Sequence, residues 1–529
     1  MKIIKYYWLI AFLILTIFII SGFGFCFYNL RLTINTARKL VIDILDNKPE
    51  NFDKNFNRCQ KQLFKFQQLI KIANPIIFLI PKRYQSPINQ YINNFNQLVA
   101  INNFLPELVG KNGRRVYYVL LQNNLELRPS GGFIGSYAKM KFNDGGMEDI
   151  LIQDIYVPDG QIVGHVDPPW PIQAAFKQGW WRLRDSNWEI DFPQSSKTIL
   201  WFFEKGKEDK GDGIVAVNLM IIKDLIKLFE PITLADYEYK ITAENLYQIT
   251  QNEAEKDFFP GSTQKKDFLS SLGRQLFLNL KTINNNQLIQ LIKLINQRLG
   301  EKQILISFNH KELSAFFQKL NWDGSVNRQY LDNQNNITDY FYLVDTNLGA
   351  NKANCCIERN VLQEIKINDE GAILEKVMIN YINSHPKQDP KPPLFWGGNY
   401  HNFLRLIIPK EAEAIMVKVN NQLIDKRQLE LEINEQKKIQ TIGFFITVPA
   451  ISQTLVEIDY QKIVKLKDGL SNFYLEIQKE PGIDNYLHKV KINLPTSLQI
   501  QTNQITNNFT FDKIIKTDEV ITLTLNKLF

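Results

Sequence analysis

The longest apolar run of the chain lies at its N-terminal end. No charged residue occurs between Lys5 and Arg31. The 23 residues Tyr6–Tyr28 would form a helix about 34 Å long, whereas the hydrocarbon core of a bilayer is about 30 Å thick. Aromatic residues stand at both ends of the run, where membrane helices meet lipid headgroups. The pattern predicts one transmembrane helix within residues 1–30.

The alternative for this run is a cleaved signal peptide. The run is longer than the apolar part of a typical signal, and no small-x-small cleavage site follows it. Basic residues flank it on both sides and do not decide the orientation, but the short leader favours a cytoplasmic N-terminus. No later run reaches 18 uncharged apolar residues. We therefore expect a single-pass protein of the cell membrane whose bulk is extracytoplasmic.

Residues 31–108 have a helical pattern. Apolar residues recur there at spacings of three and four, as on one face of a helix. Pro75, Pro81 and Pro87 are expected to break the pattern into antiparallel pieces. This part is predicted to be a helical stalk or bundle.

Strands and helices alternate in residues 109–330. The uninterrupted apolar run Val116–Leu121 is typical of a strand that is buried on both faces. Further strands are expected at Phe133–Phe142, Ile150–Val157 and Gly213–Val217, with helical segments between and after them. The sequence predicts an α/β domain with a mixed sheet and flanking helices.

Short alternating runs dominate residues 331–529. Prolines and glycines fall between them, as in antiparallel sheets. We expect one or two antiparallel β-sandwiches in this region.

Composition restricts the chemistry. A net charge of +7 on 529 residues is mild, and no nucleic-acid-binding motif occurs, so no nucleic-acid partner is expected. The four cysteines, Cys26, Cys59, Cys355 and Cys356, do not form a disulfide framework, since adjacent cysteines rarely bridge each other. No Cys/His spacing motif predicts zinc.

A Gly-Gly loop follows the first buried strand. Gly131 and Gly132 would present backbone N–H groups to an anion, and Arg128 would clamp a phosphate or carboxylate. The alternative is a plain turn between two strands.

A second polar cluster precedes a helix predicted to begin near Pro193. It contains Arg182, Arg184, Asp185 and Asn187. The alternative is an Arg–Asp network that pins a long loop. A third candidate, Lys265 and Lys266 on the polar side of a helix, is by itself typical of a solvated face.

Eight motifs lie between residues 110 and 500. They are LLQNNLELRPSGGFIGSY at 120–137, RDSNWEIDFP at 184–193, DGIVAVNL at 212–219, ITAEN at 241–245, KKDFLSSL at 265–272, NLGANKAN at 347–354, PG at 481–482 and LP at 494–495. In sequence and in order they resemble the motifs of the bacterial membrane-anchored "domain of unknown function 4012" proteins, and the resemblance covers most of this range.

A remoter resemblance is to the LytR-CpsA-Psr phosphotransferases, which move glycopolymers from polyprenyl pyrophosphate onto the cell wall. The order of strands, Arg- and Gly-containing loop and later helix is similar. Two departures weaken it: Gln153 stands where that family has the Arg of an Arg-Asp pair, and Lys265 and Lys266 replace its Arg/Gln helix motif.

Together these features predict an extracytoplasmic envelope protein whose membrane helix contacts lipid. We expect it to bind an anionic or phosphorylated envelope polymer or a lipid-linked precursor. In the phosphotransferase version, which the resemblance implies, the substrate is a polyprenyl-pyrophosphate-linked glycopolymer or cell-wall glycan. Arg128 and Arg184 clamp pyrophosphate, and Asp154 or Asp185 holds a divalent cation such as Mg²⁺ or acts as base. Arg182, Asn187, Lys265 and Lys266 complete the predicted substrate-binding set.

The alternative is a non-catalytic surface scaffold or adhesion protein, which the Gln153 substitution favours. The two versions differ in geometry. A transferase needs Arg128, Asp154, Arg184 and Lys266 to converge on one cleft, whereas a scaffold does not.

Overall fold

The computed structural model describes residues 28–77, 81–237, 239–255, 264–326, 328–330, 336–386, 397–464, 469–501 and 506–527. Apart from Tyr28, the predicted membrane helix lies outside these residues. Among the helices that the structure describes, none is long and apolar enough to cross a bilayer. The anchor therefore stays a prediction.

Three helices open the described chain: α1 (28–45), α2 (Pro49–Ile77) and α3 (Lys82–Leu108). The expected breaks at Pro75 and Pro87 are wrong, because each proline lies within a helix, near its end. A proline there removes one backbone hydrogen bond without ending the helix. Only Pro81, which directly precedes α3, stands at a boundary.

The next part is built around a five-stranded sheet in the order β3-β2-β1-β4-β7. The strands of this part are β1 (Arg115–Asn123), β2 (Phe133–Asn143), β3 (Gly146–Asp154), β4 (Gly213–Asn218), β5 (Ile232–Leu234), β6 (Tyr239–Ile241) and β7 (Ile304–Phe308). Strands β5 and β6 form a separate two-stranded sheet. The helices are α4 (Tyr156–Asp159), α5 (Trp170–Phe176), α6 (Phe192–Lys205), α7 (Leu219–Phe229), α8 (Leu246–Glu255), α9 (Gln264–Lys281), α10 (Asn285–Gly300) and α11 (Lys311–Lys319). Strands β1 and β4 are parallel, and the other pairs of this sheet are antiparallel. The predicted mixed sheet with flanking helices is confirmed.

Alternate residues of β1 explain why that strand is apolar throughout. Tyr118 and Leu120 pack on one face of the sheet, where the Tyr118 ring stacks on Phe203 of α6 at 4.0 Å between centroids. Val119 and Leu121 pack on the other face with residues of α3, α7 and α11. Side chains of a strand alternate between faces, so both faces must be covered by helices.

Two seven-stranded sheets follow. Their strands are β8 (Asn336–Asn347), β9 (Ile357–Ile367), β10 (Ala372–Asn383), β11 (Tyr400–Pro409), β12 (Glu413–Val419), β13 (Gln422–Leu423), β14 (Glu430–Asn434), β15 (Ile439–Val448), β16 (Ser452–Ile463), β17 (Gly469–Gln478), β18 (Tyr486–Asn493), β19 (Leu498–Ile500), β20 (Asn508–Ile515) and β21 (Glu519–Lys527). The sheet orders are β13-β12-β16-β10-β9-β18-β20 and β14-β15-β11-β8-β17-β21-β19. Inward-facing residues of both sheets form one continuous apolar cluster, so the region is a single sandwich.

The sandwich is not purely antiparallel. Strand β17 pairs in parallel with β8, and β18 pairs in parallel with β9. Each late strand is thus inserted beside an early one, more than 100 residues away in sequence. Alternating patterns carry no information on the direction of the partner strand, which is why the expectation of antiparallel pairing is wrong at these two places.

Cys355 and Cys356 are joined in a disulfide, which corrects the expectation that they stay unpaired. They end a short 3₁₀ turn, Ala353–Cys356, between β8 and β9. Cys59 is free and buried.

Ionisable groups are buried in the sandwich. Arg359 lies between the carboxylates of Asp345 and Glu480. Nearby, the imidazole of His488 contacts the rings of Phe341 and Tyr486, and neither of its nitrogens has a hydrogen-bond partner among the described residues. Burial, assisted by the charge of Arg359, lowers the pKa of His488 to about 3.

We predict that His488 makes the sandwich sensitive to acid. Below its ordinary pKa of 6.5, His488 takes up a proton in the unfolded chain but stays neutral in the folded one until about pH 3. Protons therefore favour unfolding between these two pH values. For each unit by which the pH falls, His488 lowers the free energy of unfolding by about 1.4 kcal/mol. Urea unfolding of wild type and H488F at pH 7, 6, 5 and 4 measures it.

The H488F variant removes the titration of His488 and no other, because all other ionisable groups are present in both proteins. The difference in unfolding free energy should shift in favour of H488F at each lower pH. Parallel pH profiles for the two chains would show that His488 is not buried in neutral form.

Candidate functional site

The loop that follows β1 lies against the sandwich. The Leu127 N–H donates to Asn354 Oδ1 at 3.1 Å, and the Asn347 N–H donates to the Leu127 carbonyl at 3.0 Å. The Asn354 N–H in turn donates to the Leu125 carbonyl at 3.2 Å. The loop that carries the most specific sequence motif therefore forms a seam between the α/β part and the sandwich.

Arg128 is part of this seam. Its side chain is 4% exposed, and Nη1 donates to the backbone carbonyls of Leu127 and Asn347. Its Nη2 lies 3.6 Å from Asp185 Oδ1, and its guanidinium lies 5.6 Å from the centroid of the Phe133 ring. The sequence predicts that Arg128 faces an anionic substrate, but the structure places it in the interior, where its donors point at protein groups.

Arg128 begins a row of alternating charges. Asp185 faces Arg128 on one side and Arg184 on the other, where Arg184 Nε lies 3.6 Å from Asp185 Oδ2. Arg184 Nη1 also donates to Asp159 Oδ2 at 3.0 Å, and Asp159 Oδ1 accepts the Leu183 N–H at 2.7 Å. Burial raises the pKa of the Asp159 carboxyl, and the charge of Arg184 opposes this. The row is the Arg–Asp network that the sequence analysis leaves as an alternative.

The Gly-Gly loop and Asn187 are also used internally. Asn187 Nδ2 donates to Ser130 Oγ at 2.7 Å and to the Gly132 carbonyl at 2.8 Å. Gly131 has φ +119°, and a Cβ there would meet the Asn218 side chain at 2.8 Å, so only glycine fits. The N–H of Gly131 already donates to the Arg128 carbonyl. The loop is a packed turn, and the side chain of Asn187 is buried against it.

A cleft opens at the other end of the charge row. Its volume is about 430 Å³, and it is lined by Tyr156, Asp159, Gly160, Gln178, Gly179, Trp180, Arg182 and Arg184. The Arg182 guanidinium lies 4.7 Å from the centroid of the Trp180 ring, and that of Arg184 lies 5.2 Å from the centroid of Tyr156. Both aromatic residues are 54% exposed. The cleft thus joins two guanidinium groups to two open aromatic faces.

The backbone explains how these residues meet. Tyr156 and Asp159 lie in α4, directly after β3, while Arg182 and Arg184 lie in the long loop between α5 and α6. Asp159 ties the two segments, because it accepts hydrogen bonds from the Leu183 N–H and from Arg184, and its carbonyl accepts one from Arg182 at 3.4 Å. The charge row therefore holds one wall of the cleft.

Of the predicted site residues, Arg182 and Arg184 line the cleft together, but the four that the transferase hypothesis requires in one cleft do not meet there. Of Arg128, Asp154, Arg184 and Lys266, only Arg184 lines the cleft. Asp154 ends β3, where its Oδ1 accepts the Tyr156 N–H at 3.0 Å, and Lys266 lies in the first turn of α9. The side chain of Lys265 is outside the described part of the chain.

Asp185 is buried between the two arginines and does not line the cleft either. In the part of the chain that the structure describes, no three His, Cys, Asp or Glu side chains group in a way that would hold a metal. The Mg²⁺ hypothesis stays a prediction.

The aromatic half of the cleft was not predicted from the sequence. Trp180 stands next to the polar cluster in sequence, but Trp181 beside it packs on Phe202 in the core. Only Trp180 is open to solvent among these two, and a Trp-Trp pair does not show which ring is exposed. Tyr156 lies 24 residues from Trp180, and no spacing rule connects them.

We predict that R128A destabilises the protein. The change removes hydrogen bonds to two buried carbonyls and leaves Asp185 facing one guanidinium instead of two. Removing one partner of a buried ion pair costs about 3–5 kcal/mol of unfolding free energy. R128K keeps the charge but offers a single ammonium, so an intermediate loss is expected. Denaturant unfolding measures both.

The matched control is R427A, because Arg427 is exposed on the sandwich and bonds only to nearby Asp425. Its stability should equal that of the wild type. If R128A unfolds at the wild-type denaturant concentration, Arg128 does not hold the seam.

Comparison with known proteins gives little beyond a family. No curated protein matches the chain. Among solved structures, the M1 zinc metallopeptidase from Deinococcus radiodurans matches at 10% identity and TM-score 0.19, over 32% of this chain and 42% of that one. A substrate-bound variant of the same enzyme matches at 9% identity and TM-score 0.19, over 33% and 43%. The chain spans about two fifths of these peptidase chains, and at these scores the likeness carries no information on fold or function.

The resemblance to LytR-CpsA-Psr phosphotransferases stays a prediction. The expected family is supported by a match to one family model, which runs from just before β1 into α8. Residues 112–254 match the model of the family described as protein of unknown function, DUF4012.

Proposed function

We propose that this protein binds an anionic carbohydrate polymer of the cell envelope in the cleft and holds it without transferring it. The observation that carries the proposal is the pairing of each cleft arginine with an exposed aromatic ring: Arg182 with Trp180, and Arg184 with Tyr156. Aromatic faces pack against the apolar faces of sugar rings. Guanidinium groups pair with carboxylates or phosphates through two parallel hydrogen bonds.

The shape of the cleft supports a polymer rather than a small metabolite. At about 430 Å³ it has room for one or two sugar units, and its aromatic walls are open to solvent. A chain would therefore continue beyond it on both sides. Gly160 and Gly179 line the cleft without side chains, which lets a ligand approach the backbone closely.

Binding without transfer is supported by the position of the remaining charges. A pyrophosphate needs several converging cations, and the phosphotransferase hypothesis draws them from Arg128, Arg184 and Lys266. Arg128 bonds to the Asn347 carbonyl in the seam, and Lys266 is not part of the cleft lining. Two arginines and the Asp159 carboxylate leave a small positive charge, which suits one anionic group per sugar unit.

The predicted anchor belongs to the proposal. A single-pass helix before residue 30 would place the cleft outside the cytoplasm, where envelope polymers are found. The protein would then act as a membrane-bound holder of such a polymer.

We predict that W180A and R182A each weaken polymer binding about tenfold, equivalent to about 1.4 kcal/mol. Each removes one half of a ring–guanidinium pair while leaving the Asp159–Arg184 bond intact. The probes are poly(glycerol phosphate) and polygalacturonate, with neutral dextran for comparison, and the measurement is isothermal titration calorimetry on the full chain.

Matched controls are available for both variants. Trp201 is exposed with Lys205 over its ring at 5.4 Å, but it does not line the cleft, so W201A should bind like wild type. R427A serves the same purpose for Arg182. Unchanged affinity in W180A and R182A, or equal affinity for dextran, would rule out the cleft as an anionic-glycan site.

A further inference from the structure

The α2–α3 hairpin has a one-sided charge. From Lys54 to Pro106 the chain contains no aspartate or glutamate. The basic residues of this stretch are Lys54, Arg58, Lys61, Lys65, Lys71, Lys82 and Arg83. A stretch of this length without an acidic residue stands out in a chain with nearly balanced charges, 62 basic against 55 acidic residues.

The base of the hairpin is packed. Leu40 and Ile44 of α1 form an apolar cluster with Phe52, Cys59 and Leu63 of α2. Near the C-terminal end of α3, the Phe104 ring contacts Phe316 of α11. These contacts join the hairpin to α1 and to the α/β part at its base.

The far end of the hairpin projects. The two helices contact each other there through the rings of Phe66 and Phe95 and through Gln67 and Asn96. Beyond this point residues 71–75 of α2 and residues 82–84 of α3 are exposed. The fold therefore leaves these side chains at the far end open to solvent.

Apolar and aromatic residues are exposed on this projecting end. Ile72 is 72% exposed and Tyr91 is 67% exposed, and Tyr84 is also open. The guanidinium of Arg83 lies 4.7 Å from the centroid of the Tyr84 ring. In sequence, the junction Ile76–Pro81 has no charged residue. Exposed apolar residues among basic ones are typical of surfaces that enter the headgroup region of a bilayer.

The direction of the hairpin points to the same surface. Helices α1 and α2 are antiparallel, because Asn55 of α2 bonds to Asp43 and Cys59 bonds to Thr36, further back along α1. Counted from these two contacts, α2 has 7 to 10 more residues left to Ile77 than α1 has to residue 28, so α2 extends about 10–15 Å past residue 28. Residue 28 is the last residue of the predicted membrane helix.

We propose that the projecting end of the α2–α3 hairpin binds the surface of an anionic lipid bilayer. Lys71, Lys82 and Arg83 contact lipid phosphates, while Ile72 and Tyr84 enter the headgroup layer. The charge argument does not depend on the anchor or on the glycan site. With the anchor, the hairpin gives the protein a second point of attachment, which fixes its tilt on the membrane.

The test compares the full chain in nanodiscs of phosphatidylcholine and in nanodiscs of equal parts phosphatidylcholine and phosphatidylglycerol. Hydrogen–deuterium exchange is followed in peptides covering residues 64–92. We expect exchange at the far end to be at least threefold slower in the anionic discs. The triple variant K71E/K82E/R83E should exchange at the same rate in both.

The matched control is K366E/K426E/K516E, which changes the net charge by the same amount on exposed positions of the sandwich. It should retain the lipid-dependent protection. Binding of poly(glycerol phosphate) to the hairpin variant should equal that of the wild type, which separates this proposal from the glycan site.

Two results would overturn the proposal. One is equal exchange of residues 64–92 in the two disc compositions. The other is protection that depends on protein concentration and not on lipid, which would assign the surface to a second copy of the chain.

Discussion

The structure depends on a buried row of charges that joins its two halves. Arg128 binds the end of β8 through the Asn347 carbonyl and faces Asp185, which in turn faces Arg184. Because each buried charge needs its neighbour, the loop after β1 and the loop before α6 are held in one arrangement. The sandwich therefore stabilises the α/β part at the place where the family motifs lie.

The same row connects stability to the cleft. Its last member, Asp159, holds Arg184 under the Tyr156 ring and holds the backbone at Leu183. The residues that are open to a ligand, Trp180 and Arg182, lie on a loop whose other side is fixed by this carboxylate. The polar motif at residues 184–193 can thus serve the cleft through its internal bonds, because these bonds fix the loop that carries Trp180 and Arg182.

Local patterns were enough to predict much of the fold but little of the site. The apolar run at Val116–Leu121 predicted a strand covered on both faces, and the structure confirms it with Tyr118 on one face and Val119 on the other. The role of Arg128 could not be predicted, because its partner Asn347 is 219 residues away. From the sequence, Arg128 was predicted to bind an anion, because an anion is the usual partner of an arginine in a glycine-rich loop. The Tyr156–Arg184 pair was missed for the same reason, since two distant segments meet only through Asp159.

The central claim is that Arg182 faces a ligand while Arg128 serves the seam. Modification of arginines by phenylglyoxal, mapped by mass spectrometry with and without poly(glycerol phosphate), tests it most directly. The account predicts that Arg182 reacts in the native protein and is protected by the polymer, while Arg128 reacts only after unfolding. Modification of Arg128 in the native protein, with protection by the polymer, would contradict it.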